Sequence, residues 1–188
     1  IRDRFYAFEI LYWCGLRMGE LLALTKEKFD FYTNTLKVDE SLQKIDGENI
    51  ITPPKTKKSI RKIVMPDFLA EEIQNYLDGF YKLKPKDLIF TFSKSYLHHE
   101  MDRGAKKANV KRIRVHDLRH SHVSLLIELG FSATAIADRL GHESIDITYR
   151  YAHLFPSKQN EMADTLSQMR SSKQNDWNSL LKEDEDDI

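Results

Sequence analysis

Three stretches of the 188-residue chain concentrate side chains able to handle a phosphate. The densest is His116-Asp117-Leu118-Arg119-His120-Ser121-His122, at the opening of a helical pattern. Positions three and four apart share a helix face, so His116, Arg119 and His120 can point the same way. A helix N-terminus also favours anions. Such an end presents two imidazoles and a guanidinium to one phosphate group. The same histidine pair has the i, i+4 spacing of a helical zinc site. No Glu follows His116, however, Arg119 repels a cation, and His122 points elsewhere. The composition of this cluster therefore favours an anion over a metal.

The second stretch is Gly15-Leu16-Arg17-Met18-Gly19-Glu20. Its glycines permit close approach of backbone or ligand, and Glu20 lies where it can pair with Arg17 and set its direction. The third runs from Leu140-Gly141-His142-Glu143-Ser144 to Thr148-Tyr149-Arg150-Tyr151-Ala152-His153. A tyrosine hydroxyl, with an ordinary pKa near ~10, is a nucleophile only beside cations or a base. A purely structural reading stays open for each piece: a capped helix, a surface ion pair, and tyrosines at the rim of a core.

The elements that must position these residues follow from periodicity. Residues 3–24 read as a helix with Phe5, Phe8, Leu11, Tyr12 and Leu16 on one face, broken near Arg17 by the glycines. Lys28 to Val38 alternates around Thr33-Asn34 as a hairpin. Ile50-Ile51 and Ile60–Met65 read as a second pair of strands, with the basic loop Pro53-Pro54-Lys55-Thr56-Lys57-Lys58 as their turn. A helix opens at Pro66-Asp67, and Leu88-Ile89-Phe90 is a short extended piece. Further helices span 95–109, 116–129, 132–140 and 144–153, two of them closed by Gly130 and Gly141. Beyond Pro156 the sequence is polar. Met162, Leu166 and Met169 form a narrow stripe, Trp177, Leu180 and Leu181 a second apolar anchor, and Glu183 to Asp187 an acid run.

Composition narrows the classes. Lys plus Arg and Asp plus Glu both number 29, but without the terminal acids residues 1–182 carry 29 against 24, a mildly basic body. That suits a polyanionic partner. No apolar run approaches the ~20 residues of a membrane span. The single cysteine, Cys14, excludes an intrachain disulfide and fits a reducing compartment. The start, Ile1-Arg2-Asp3-Arg4, without Met, reads as a piece of a longer protein.

Taken in order, Gly-Leu-Arg-x-Gly-Glu, a lysine in a β turn, His-x-Leu-Arg-His, Leu-Gly-His-x-Ser and Tyr-x-His resemble the catalytic domain of the tyrosine recombinases, or phage integrases. The resemblance covers residues 3 to 156, in the style of Gram-positive phages and integrating elements. It implies a mainly helical α+β fold with a small antiparallel sheet. It implies a catalytic domain over 1–156, a C-terminal arm and acidic tail over 157–188, and an N-terminal DNA-binding domain outside the fragment. The activity implied is cleavage and rejoining of specific DNA sites through a 3′-phosphotyrosine, without metal or cofactor.

By the resemblance, Arg17 and Arg119 clamp the scissile phosphate and His116 transfers a proton or touches the phosphate. His142 hydrogen-bonds that phosphate, and Tyr151 is the nucleophile. Lys55 protonates the leaving 5′-oxygen, with Lys57 and Lys58 as rivals. Two guanidiniums suit the equatorial oxygens of such a transition state, and they are expected to ease phenolate formation on Tyr151. The implied partners are double-stranded DNA attachment sites, with a homotetramer on DNA, a fragment that is monomeric alone, no membrane, and a bacterial cytoplasmic setting. A type IB topoisomerase and a non-catalytic DNA-binding relative are the alternatives. The intact Arg-Lys-His-Arg-His-Tyr set argues against the second.

Overall fold

The computed structural model describes residues 2–54, 56–151 and 162–170. The chain divides into two compact units, 1–154 and 155–188. In the first, α1 (Arg2–Trp13) is followed by a short α2 (Met18–Leu21) and five strands: β1 (Phe29–Asp30), β2 (Thr35–Val38), β3 (Ser41–Ile45), β4 (Glu48–Thr52) and β5 (Arg61–Val64). Five helices come next: α3 (Asp67–Asp78), α4 (Lys94–Ala108), α5 (Asp117–Glu128), α6 (Ala133–Leu140) and α7 (Asp146–Tyr149).

Gly15 makes the break between α1 and α2. Its φ is +61°, and a Cβ there would lie 2.6 Å from Leu140 Cδ2 and 2.7 Å from His122 Cδ2. Both the backbone conformation and the space exclude a side chain. The buried face of α1 is Ala7, Ile10, Leu11 and on to Cys14, while Phe5 is more than half exposed. The core-facing stripe is thus rotated from the aromatic one that spacing suggested. α1 packs on α3 and α5, whose inward residues include Leu69, Ile73 and Leu77 and, on α5, Val123 and Ile127.

Two sheets form where the sequence suggested one. β1, β2 and β5 make an antiparallel sheet in that order, with Leu36 opposite both Phe29 and Ile63. β3 and β4 make a separate hairpin in which Ile45 faces Glu48. Its turn is Asp46-Gly47, both at positive φ, the conformation a tight two-residue hairpin demands. The expected pairing of Ile50-Ile51 with Ile60–Met65 is therefore wrong. The two segments lie in different sheets, because Asp46-Gly47 gives β4 a nearer partner and β5 completes the sheet begun by β2.

The basic stretch 53–58 thus connects two sheets and is not the turn of a hairpin. Thr56 leads into a single helical turn, Lys57–Ser59, and Lys55 lies outside the described residues. α7 is shorter than the expected 144–153, ending in a turn that carries Tyr151. In the second unit, residues 162–170 are helical, and Met162, Leu166 and Met169 are exposed. Trp177, Leu180, Leu181 and the acid run lie outside the described residues.

Candidate active site

Arg119 is the hub of the polar cluster. It projects from the first turn of α5 and is buried, 4 % exposed. One terminal nitrogen donates to the Gly15 carbonyl at 2.6 Å and the other to the Leu140 carbonyl at 2.7 Å. The first carbonyl lies two residues before Arg17 and the second two before His142. One guanidinium therefore gathers three segments that are far apart in the chain. Burial, and next the charge of Arg17, lower its pKa to about 9, which leaves it charged at neutral pH.

Arg17 precedes α2 and is held by Glu20. The Arg17 backbone N–H donates to Glu20 Oε2 at 2.8 Å, and its guanidinium donates to Oε1 at 2.9 Å. Glu20 is itself buried and takes two further bonds from Arg61 of β5, at 3.1 and 3.0 Å. Burial works against the Glu20 charge, but the bonds and charge of Arg61, then those of Arg17, hold its carboxyl below the usual range. Arg61 also donates to the Ser59 carbonyl and, through Nε, to the Arg139 carbonyl near the end of α6. A cavity of about 370 Å³ opens beside this network, lined by Arg17, Glu20, Ser59 and Gly141 among others.

His142 follows the left-handed Gly141 (φ +64°) that ends α6. A Cβ on Gly141 would approach the Lys58 carbonyl to 2.9 Å, so this glycine lets the 57–59 turn pack against the helix end. His142 Nδ1 lies 2.8 Å from Thr148 Oγ1 of α7. Burial, then the charges of Arg119 and Arg17, bring its pKa down to about 4, so its ring is neutral at pH 7. With Thr148 donating to Nδ1, the ring proton sits on Nε2 and makes that nitrogen a donor.

His116 caps α5, its ring perpendicular to that of His120 at 5.0 Å. Partial enclosure and the charges of His120, Arg119 and Arg17 lower its pKa. Tyr151 hydrogen-bonds His120 Nδ1 through its hydroxyl. Its pKa is raised, because burial outweighs the pull of Arg119 and Arg150. Arg119 thus pulls in the expected direction, toward the phenolate, but burial is the larger effect in this arrangement. Tyr149, in contrast, is 52 % exposed. Lys58 donates to the Glu143 carbonyl at 3.1 Å.

The sequence model of the phage integrase family matches residues 1–158. The chain belongs to the phage integrase family. It is 33 % identical over 176 residues to the ICEBs1 integrase of Bacillus subtilis, covering 86 % of this chain and 48 % of that protein. It is 27 % identical over 181 residues to the integrase of Staphylococcus phage L54a, covering 87 % and 51 %. The chain thus spans about half the length of these relatives. Among solved structures, the Tn1549 transposon integrase in complex with a circular intermediate DNA superposes with a TM-score of 0.73 at 22 % identity, over 89 % of this chain and 58 % of that one. The catalytic domain of bacteriophage HP1 integrase superposes with a TM-score of 0.56 at 20 % identity, over 85 % and 79 %. The fold is therefore that of a tyrosine recombinase catalytic domain, mainly helical with small antiparallel sheets.

Within this integrase fold, Arg17, His116, Arg119, His142 and Tyr151 belong to one electrostatically linked cluster. His122, as expected from its position, points away: its Nε2 accepts from Arg139 at 3.2 Å. Two participants escaped the sequence reading. Arg61 shares the inward phase of Ile63 and Met65, a strand period that marks a buried arginine. Thr148 and its bond to His142 depend on how α7 folds back, which no local pattern reveals.

Proposed function

We propose that this chain is the catalytic domain of a site-specific tyrosine recombinase, which cuts and rejoins double-stranded DNA. Tyr151 Oη attacks the scissile phosphorus, the P–O5′ bond breaks, and a 3′-phosphotyrosine holds the strand. Arg17 and Arg119 balance the charge on the non-bridging oxygens, and neutral His142 donates a hydrogen bond to one of them. His116 stands beside the phosphate. Lys55 protonates the 5′-oxygen, with Lys57 and Lys58 as the rivals. The observation that supports this reading is the Arg119 guanidinium, whose bonds to the Gly15 and Leu140 carbonyls tie it to the segments that carry Arg17 and His142.

DNA is the substrate this chemistry requires, and the Tn1549 relative was solved with DNA. Family members assemble as tetramers on attachment sites, and the same assembly in the bacterial cytoplasm is proposed here. No helix among the described residues is long and apolar enough to cross a membrane. The test uses the full-length protein and a labelled, nicked attachment-site duplex. Tyr151→Phe removes only the nucleophilic hydroxyl and abolishes the covalent adduct while DNA binding persists. Tyr149→Phe keeps the adduct. The reverse pattern overturns the assignment, and relaxation of supercoiled DNA without strand exchange redirects it to topoisomerase chemistry.

A further inference from the structure

The hydrogen bond from Tyr151 to His120 lies outside every role assigned above. His120 sits one residue past Arg119, on the first turn of α5, and its Nδ1 meets the Tyr151 hydroxyl. The two rings are tilted by 44° with centroids 5.8 Å apart. The other histidines of the cluster are occupied differently. His142 Nδ1 is engaged by Thr148, and His116 presents its ring to His120 in an edge contact. We infer that His120 is the base that takes the Tyr151 proton during cleavage and returns it during religation. This inference rests on the proposed recombinase reading and adds to it a catalytic residue.

The chemistry closes. His120 begins neutral, with Nδ1 unprotonated and the proton on Nε2. As the Tyr151 oxygen bonds to phosphorus, its proton passes to Nδ1 and the P–O5′ bond breaks. The 5′-oxygen takes its proton from a separate acid. In religation the 5′-hydroxyl attacks, the tyrosine leaves as phenolate, and the imidazolium returns its proton. A base is needed because Tyr151 is half-buried and its hydroxyl resists ionisation.

The groups that face His120 are Tyr151, the His116 ring, Asp117 one turn back, and His142. Asp117 is electrostatically linked to His120. Its own carboxylate is fixed by bonds from the Arg114 backbone and guanidinium.

The test measures adduct formation by the full-length protein on two nicked duplexes. One is ordinary and one carries a bridging 5′-sulfur at the scissile position, whose thiolate leaves without protonation. Tyr151→Phe is run alongside: if that variant still forms the adduct, the recombinase assignment fails, and the role of His120 fails with it.

With that control silent, His120→Ala slows adduct formation by ~10²- to 10⁴-fold, equally on both duplexes. Lys55→Ala is restored on the sulfur duplex. His120→Asn places an amide where Nδ1 stood and keeps a hydrogen bond to Tyr151, but it cannot accept a proton. It therefore stays as slow as His120→Ala, whereas added imidazole speeds only His120→Ala. Full activity in His120→Asn overturns the base and leaves a positioning contact. A rate within about threefold of the parent in His120→Ala, far less than a general base contributes, overturns any role. Rescue of His120→Ala by the sulfur duplex moves His120 to the leaving-group side and also overturns it.

Discussion

Arg61→Met tests whether the Glu20 carboxylate is held by the β5 arginine. Methionine preserves length and apolar volume but removes both bonds to Glu20 and the bonds to the Ser59 and Arg139 carbonyls. Breaking one partner out of a buried ion pair costs ~3–5 kcal/mol. The lower end applies, because Arg17 remains as a partner and its side chain is 39 % exposed. Each carbonyl that loses its donor adds about 0.5–1 kcal/mol. The expected loss is about 4–5 kcal/mol, a large part of a typical ~5–15 kcal/mol total.

Urea unfolding followed by circular dichroism measures it. Glu20→Gln in the Arg61→Met background removes the uncompensated charge and recovers about 2 kcal/mol of the loss. The pH dependence carries the same signature. Because the folded carboxyl sits below its unfolded value, it stabilises the fold above the usual Glu pKa of ~4.3. That contribution fades as pH falls through the lower folded value, and without Arg61 the acid-dependent loss shrinks. A loss below about 1 kcal/mol for Arg61→Met, or no recovery in the double variant, refutes the reasoning.

Gly15→Ala should destabilise by at least ~1–3 kcal/mol, since the new Cβ meets Leu140 and His122 at a positive φ. It should also slow adduct formation, because it displaces the carbonyl that holds Arg119; normal cleavage with normal stability would contradict this. His122 and His142 both have pKa values lowered to about 4, chiefly by burial. Between pH ~6.5 and 4 the unfolded chain binds protons that the folded chain refuses, so stability falls as pH falls. At pH 5 each histidine accounts for roughly 2 kcal/mol, and unfolding free energies at pH 7 and pH 5 that coincide would sink the claim. Among the lysines, Lys55→Ala should slow cleavage of ordinary nicked DNA and Lys58→Ala should not, because Lys58 is tied to the Glu143 carbonyl; single-turnover cleavage assays decide between them.

The helices were legible because their signals are local. α3 shows its core face at Leu69, Ala70, Ile73, Tyr76 and Leu77, and α6 ends at Gly141 where a left-handed cap was expected. The hairpin β3–β4 was legible in principle, since Asp46-Gly47 is a strong turn signal, but the isoleucines around it drew attention to the wrong partner. The stripe on α1 misled because Phe5 and Phe8 border a surface groove shared with α4, where bulk is tolerated outside the core. Arg17, Arg119 and His142 could be singled out from motif spacing. Arg61, Thr148 and the His120–Tyr151 bond could not, because each depends on contacts that cross from one element to another. An arginine in a strand reads as a surface residue until its phase with Ile63 is noticed.

Arg119 has a consequence for what a damaged copy of this protein can do. Its guanidinium is oriented by carbonyls from the end of α1 and the end of α6, which meet only when the domain has closed. On the proposed reading, a chain in which either segment is displaced loses the arginine's aim. An enzyme that leaves broken DNA attached to itself is hazardous to its host when it runs out of control. Here the means of cutting depends on contacts between segments far apart in the chain, so the event that unfolds the protein also disarms it.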